Sequence, residues 1–295
     1  MADQDISNYD KLLSRRSIRT YKPLLIGDDV FNQIEGFFST AFPIDSDNQF
    51  KNKIFVYQSD SKEGKALSRL GRIMNPPYFM APHIYGDSLP LVDLGFRTQQ
   101  IVFQLWRLGI GSCYIGCAHK KDRVVKTLEL QEKAKMVSFV VFGYPDDTYY
   151  RNAYQKITGI FMGNRVRLLF DELFIGNALP DFLVLNQSFV KIIEAGRFAP
   201  SATNSQPWRF AVSNGQFIIC ARHKKIAKIY DLQQGYSLHD TGICMANMSL
   251  AAKALGLTIN WKLSTNELKM PFDTKFDTPI ACFSLQDIGI KHDQY

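Results

Sequence analysis

Three arginines and two serines fall within nine residues, Ser14 to Lys22, in the stretch SRRSIRTYK. Read as extended chain, alternation turns Arg15, Ser17 and Arg19 to one side and Arg16 and Ile18 to the other. A helix would instead point Ser17 away from the two arginines. Two guanidinium groups and a hydroxyl converging from one side make a seat for a phosphate or an electron-rich carbonyl, because arginine presents planar, charge-assisted donors. A solvated basic turn accounts for the same residues, and on this stretch alone both readings stay open.

Two further stretches carry comparable potential. In APSATNSQPW, Ala199 to Trp208, Pro200 breaks the preceding helix and Ser201, Ala202 and Thr203 are small enough for a planar ring to lie against backbone. Asn204 offers both a donor and an acceptor, and Pro207 and Trp208 stiffen the exit into the strand RFAVS. A capped turn over a core tryptophan fits equally well. GIGSCYIG, Gly109 to Gly116, has three glycines, which let main chain approach a flat ligand closely and leave an amide free to donate. It ends a helix where a dinucleotide fingerprint would begin one. Alone it is a helix cap followed by a turn.

Acid–base and metal chemistry have less support. Asp93 and Asp240 read as helix caps, His239 as a neighbour of the second cap, and Trp106 and the methionines as core. No Ser-His-Asp or Cys-His arrangement follows from spacing, so no side chain is assigned a catalytic role. The five cysteines, Cys113, Cys117, Cys220, Cys244 and Cys282, are an odd number in segments that read mostly as buried, and reduced core thiols are expected. Cys113, Cys117 and His119 lack a second pair at zinc-ligand spacing, and no metal is expected. A redox cofactor would need neither, since it carries its own reactivity.

The net charge of +7 and pI of about 9.0 suit small anionic ligands. The basic residues are scattered, densest in HKKDR and RHKK, with no nucleic-acid motif beside them, so a nucleic-acid partner is not expected. The opening MADQDISNYDK is acidic and polar, and no apolar run approaches the roughly 20 residues that span a bilayer. A cytoplasmic protein without a membrane partner is the expectation.

The elements that must hold these stretches come in two copies. At 295 residues, 46% hydrophobic and 21% charged, the chain is long enough for one large globular domain or two small ones. DLGFRTQQIVFQLWRLGIGSCY from Asp93 and DTGICMANMSLAAKALGLTINW from Asp240 match in pattern at a separation of 147 residues, Asp with Asp and Leu-Gly with Leu-Gly. Each copy reads as a helix of about four turns that begins at Asp and stops where glycine takes the left-handed cap. Each is followed by a β-rich run, MVSFVVFGY or PIACFSL. A shorter helix also recurs, in DDVFNQIEGFFSTAFP and SFVKIIEAGRFAP, ending before a proline. These patterns divide the chain into an N-terminal half (1–158), a crossover segment (159–184) and a C-terminal half (185–295). The arginine stretch occurs only in the first half and SATNSQPW only in the second, so one site is expected where a symmetric pair would have two.

Taken together, the three stretches resemble the nitroreductase family of FMN-dependent flavoproteins. Its members open with Arg-Arg-Ser-hydrophobic-Arg and carry Pro-Ser-x-x-Asn-Ser-Gln-Pro-Trp after an early helix. GIGSCYIG is similar to the family's Gly-x-Gly-Ser/Thr-Cys-Trp-x-Gly turn, with Tyr114 in place of Trp and Cys117 where a second glycine is common. The resemblance covers most of the chain and is nearest the subgroup with two nitroreductase halves fused in one polypeptide. It implies an α+β nitroreductase-like fold and a monomer whose tandem halves form an internal pseudo-dimer holding FMN, with NAD(P)H as electron donor. It further implies Arg15 and Ser17 at the phosphate and ribityl chain, Arg19 at the pyrimidine edge of the ring, and the backbone of Ile115 and Gly116 facing flavin N5. Pro200, Ser201 and Asn204 match the loop that the other subunit contributes in dimeric members. Arg165 and Arg167 resemble the late basic pair that completes the phosphate seat, with Arg151 as a rival. The implied activity is ping-pong hydride transfer through flavin N5 to a small-molecule electron acceptor such as a nitroaromatic or quinone. A flavin-binding sensor or store without appreciable turnover is the alternative.

Overall fold

In the computed structural model the described residues are 2–117, 121–146, 166–175, 186–223, 235–263 and 277–290. The chain begins with α1 (Ala2–Ser14), α2 (Asp28–Thr40), β1 (Gln49–Lys51), β2 (Ile54–Val56), α3 (Arg69–Ile73), β3 (Tyr78–Met80), β4 (His83–Tyr85) and α4 (Pro90–Arg107). It continues with β5 (Gly111–Gly116), α5 (Lys121–Thr127), β6 (Ser138–Gly143), α6 (Phe170–Leu173) and α7 (Gln187–Arg197). The last elements are β7 (Trp208–Ser213), β8 (Gln216–Arg222), α8 (Tyr236–Ala254), β9 (Lys262–Leu263) and β10 (Asp277–Ser284).

Two compact units result, and each takes a piece from the other end of the sequence. One comprises residues 15–165 together with 202–204; the other comprises 1–14, 166–201 and 205–295. The boundaries expected at 158/159 and 184/185 both lie outside the described residues.

The duplication read from the helices extends to strand order. In one unit the strands pair antiparallel as β2-β3-β6-β5, and in the other as β7-β8-β10-β9. Numbered within each sheet, both read first-second-fourth-third, with the long helix, α4 or α8, between second and third. The repeat is therefore a β-β-α-β-β topology in an α+β fold.

Period-two alternation fills both faces of the first sheet. Tyr78, Met80, Val140 and Phe142 pack with Ile34 of α2 and Ile101, Val102 and Leu105 of α4. The intervening Phe79, Phe139 and Val141, with Cys113 and Ile115, pack under Leu67, Met74, Val124 and Leu128. Burial on both faces explains why β6 reads as a continuous apolar run. In the second sheet, Phe210, Phe217 and Phe283 form an aromatic series with Phe189 of α7 and with Trp261. Pro279 cannot donate to the ladder, and the β8–β10 register shifts between Pro279 and Ala281. α8 is buried on nearly all sides, in keeping with its small and apolar run Ile243 to Met248. No helix among the described residues is long and apolar enough to cross a membrane.

Both long helices stop where expected and start earlier than expected. Gly109 and Gly256 take left-handed caps at φ 74° after Leu108 and Leu255. α4, however, begins at Pro90 behind a left-handed Leu89, and α8 begins at Tyr236 behind a left-handed Gly235. Proline at the first helical position has no amide to satisfy there, which favours that start. Asp93 and Asp240 thus lie inside their helices. Trp106, expected in the core, is only partly buried.

Asp93 serves the preceding loop instead. Its Oδ1 accepts from the Ile44 amide at 2.9 Å, and Arg97 Nε lies 3.4 Å from Oδ2. Burial pushes its carboxyl above the ordinary value of 3.8, against the lowering effects of the Ile44 amide, Arg97 and Asn48. A folded-state pKa above the unfolded one means that ionisation costs stability; the cost is absent below the unfolded pKa and grows until pH passes the folded one. The gain in unfolding midpoint of Asp93→Asn over the parent should therefore grow as pH rises above the ordinary carboxylate range. A difference that stays constant or shrinks as pH rises would contradict this account of the carboxyl.

Candidate functional site

The arginine stretch is extended, as alternation requires. Ser17 forms a parallel bridge with Ser112 of β5, and the Ile18 amide donates to the Ser112 carbonyl at 2.9 Å. Further on, Thr20 Oγ1 donates to the Asp146 carbonyl at 3.0 Å and the Lys22 amide to the Tyr144 carbonyl at 2.9 Å. The Tyr21 hydroxyl closes the stretch on itself by donating to the Ile18 carbonyl at 2.6 Å. Ile18 points into the core at 1% exposure, Arg16 is exposed, and Arg15, Ser17 and Arg19 are half-buried. The two sides are those given by the sequence pattern.

GIGSCYIG is a strand for most of its length, which corrects the expectation of a cap and turn. Gly111 to Gly116 pair residue by residue with Gly143 to Ser138. The glycine that permits a close approach is Gly111, and what approaches is Ile18: a Cβ there would lie 2.5 Å from Ile18 Cγ1. This contact seats the arginine stretch on the sheet. Ile115 sends its side chain into the core, Gly116 ends the strand, and the Tyr114 hydroxyl donates to Gln99 Oε1 of α4 at 3.0 Å.

Electrostatics set Arg15 apart. Burial lowers the pKa of its guanidinium and Arg19 lowers it further, while Tyr114 and Cys113 act in the opposite direction. Among the described residues no carboxylate pairs with Arg15. A half-buried cation beside a second cation, with no acid near it among the described residues, is suited to seat an anion. The Ser17 hydroxyl and the Arg19 guanidinium also hydrogen-bond with the Cys113 sulfur, whose thiol pKa is raised, mainly by burial. Cys113 is buried and free, as the sequence reading expects of a reduced core thiol, but its contacts with Ser17 and Arg19 are not part of that reading. Those contacts follow from its place on β5 beside Ser112, which bridges to Ser17.

The second stretch supplies a strained loop. Pro200 is buried, and Ser201 Oγ accepts from the Gln206 amide at 3.0 Å. Thr203, Asn204 and Gln206 are all left-handed, at φ 52°, 55° and 48°. For the β-branched Thr203 this is an outlier, and such residues cost about 1–3 kcal/mol each, so the surroundings must hold them. Residues 202–204 group with the unit that contains Arg15, Ser17, Arg19, Ile115 and Gly116, so the structure brings Asn204 into the same unit as those five. Pro200, Ser201 and Arg167 belong to the other unit.

Arg167 does not present an open guanidinium. Its terminal nitrogens donate to the carbonyls of Phe198 at 3.0 Å and Ala199 at 2.7 Å, at the C-terminal end of α7, where a cation also suits the helix dipole. Arg151 and Arg165 lie outside the described residues. All five cysteines are buried and free, and no cluster of metal-ligating side chains occurs among the described residues.

The structure is similar to that of a protein described as a putative nitroreductase from Thermotoga maritima, with a TM-score of 0.58 and 20% identity over 94% of this chain and 93% of that one. At that identity the likeness speaks for the fold. Similarity also extends to an FMN-dependent nitroreductase from Clostridium difficile (TM-score 0.39, 19% identity, 50% of this chain and 95% of that one). NfrA2 of B. megaterium is similar too (TM-score 0.42, 18% identity, 52% of this chain and 78% of that one). No curated protein matches the sequence. The family described as "Putative TM nitroreductase" matches residues 8–252, a span that takes in the arginine stretch, β5, the strained loop and most of α8. A general oxidoreductase role goes with that family, and this chain belongs to it.

Proposed function

We propose that the protein binds one FMN per chain on the Arg15–Ser17–Arg19 strand and uses it to pass electrons from NAD(P)H to a small-molecule acceptor such as a nitroaromatic or quinone. The observation that carries this reading is Arg15: a guanidinium whose charge is disfavoured by burial and by Arg19, with no acid beside it among the described residues. Its donor set fits a phosphate. Arg15 and Ser17 would hold the phosphate and ribityl chain, and Arg19 would stabilise negative charge at the pyrimidine edge, an effect that is strong where water is partly excluded. The backbone at Ile115 and Gly116 would face the ring, with Asn204 of the same unit as a further contact; Pro200 and Ser201 flank the loop that carries it. Bound there, FMN would supply the two-electron chemistry, and the chain would supply position and charge without a side chain acting as obligate acid or base. In this reading the protein is a monomer whose halves take the place of two subunits, acting in the cytoplasm with neither nucleic acid nor membrane as partner.

Stoichiometry tests the reading. The stretch upstream of α7, residues 176–186, contains no arginine, so a second, mirrored seat would face a phosphate carrying about −1.5 to −2 charges with nothing to neutralise it. Titration of apoprotein with FMN should saturate at one equivalent per chain. Two equivalents, one per two chains, or no binding would overturn it. With flavin bound, NAD(P)H oxidation in the presence of a nitroaromatic or quinone should follow; bound flavin without turnover would remove the oxidoreductase part and leave a flavin store.

A further inference from the structure

Three consecutive residues of the crossover segment are bonded to the stem of the strained loop. The Gln206 side chain, itself buried, accepts from the Leu168 amide at 3.0 Å and donates to the Val166 carbonyl at 3.4 Å, much as a strand pairs with a neighbour. Arg167, between them, donates to the Phe198 and Ala199 carbonyls. Arg197 Nε donates to the Leu168 carbonyl at 2.6 Å and is itself held by Glu194 at 3.0 Å. The Gln206 amide, bonded to Ser201 Oγ, closes 201–206 into a ring. Every one of these bonds lies within the unit that excludes residues 202–204. The loop tip therefore leaves and re-enters at Ser201 and Ser205, next to a base tied down at five points on the 166–168 side. Left-handed Thr203 and Asn204 need such a base, because strained conformations persist only where the flanking structure over-determines them.

We infer that Gln206 is a positioning residue for the loop bearing Ser201 and Asn204, and that Val166–Leu168 is the strap it locks onto, with Arg167 as the hook. What the loop is positioned to do rests on the flavin reading above; the lock itself does not. Gln206 touches neither cofactor nor substrate in this account. Its amide holds one chain segment against another, and the consequence is felt at Asn204.

The test uses the full chain and two kinds of readout. In Gln206→Ala apoprotein, the Leu168 and Gln206 amides should exchange hydrogen at least about tenfold faster than in the parent, with unrelated core amides unchanged. FMN affinity should fall about tenfold, yet by less than about threefold when Gln206→Ala is added to Asn204→Ala, because the group being positioned is already gone. Arg167→Lys is the milder variant should Gln206→Ala fail to fold; it keeps the charge but loses the paired hook, and should weaken FMN binding about three- to tenfold while accelerating the same amides. Unchanged exchange in both variants would overturn the lock, and additive losses of affinity in the double variant would overturn the positioning role. A parent protein that binds no FMN would remove the flavin reading alone, since the exchange experiment still decides the lock.

Discussion

Arg15→Ala should weaken FMN binding by about ten- to a hundredfold, corresponding to about 1.5–3 kcal/mol for a charge-assisted bond to phosphate, while Arg16→Ala should leave it nearly unchanged. The difference comes from strand alternation. Ile18 is driven into the core against Gly111, Arg16 is left in solvent, and Arg15 is kept half-buried with a pKa lowered by burial and by Arg19. Isothermal titration of the two variants with FMN at one fixed salt concentration reads the effect directly. Equal losses, or the larger loss in Arg16→Ala, would mean that the strand presents its other side to the ligand.

A disturbance that reaches the fold as well as the site is expected from a single methyl group at Gly111. The new Cβ would sit 2.5, 2.7 and 2.9 Å from three carbons of Ile18. The side chain it meets is fully enclosed and fixed to β5 through the Ser17–Ser112 bridge. Relief requires the arginine strand to move off the sheet, so Gly111→Ala should cost about 1–3 kcal/mol of stability and FMN affinity together. Gly109→Ala is the informative contrast. There nothing lies within 4 Å of the added carbon, and the cost is the left-handed φ of 74° alone, about 1–2 kcal/mol of stability with FMN affinity unchanged. Shortening the obstructing side chain, as in the Gly111→Ala, Ile18→Ala pair, should recover part of the lost affinity. If Gly111→Ala binds FMN as the parent does, Ile18 does not seat the strand.

Helix ends are legible because they follow from local rules. Leu-Gly marks a left-handed cap wherever it closes an apolar stripe, and Gly109 and Gly256 both obey it. The starts at Asp93 and Asp240 were misread because a carboxylate near a helix entrance looks alike whether it caps or lies one turn in. Pro90 was the better signal and stood three residues earlier. Gly111 of GIGSCYIG is misread for a related reason: a missing Cβ announces a close approach without saying to what. At Gly111 the approaching group is the protein's own Ile18. The sidedness of Arg15, Ser17 and Arg19 followed from period two alone. The partners of Cys113, Gln206 and Arg167 did not, since each is met by residues far along the chain or on another element, which no spacing rule connects.

The grouping of α1 with residues 166–201 and 205–295 has a consequence for how the chain is made. α1 packs on α8, and Tyr9 donates to the Lys191 carbonyl at 3.2 Å. α1 leaves the ribosome more than 200 residues ahead of α8 and must therefore wait for its partner to be synthesised. At roughly 5–20 residues per second, α1 spends roughly 10–45 s between its own completion and the appearance of α8. Over that interval Leu12, buried in the finished protein, has no native cover. Residues 202–204 impose a matching delay on the N-terminal half, which cannot acquire Asn204 until most of the protein exists. Neither unit is completed by one continuous stretch of chain, and a nascent chain stalled between them would display an unpaired helix to any chaperone in reach.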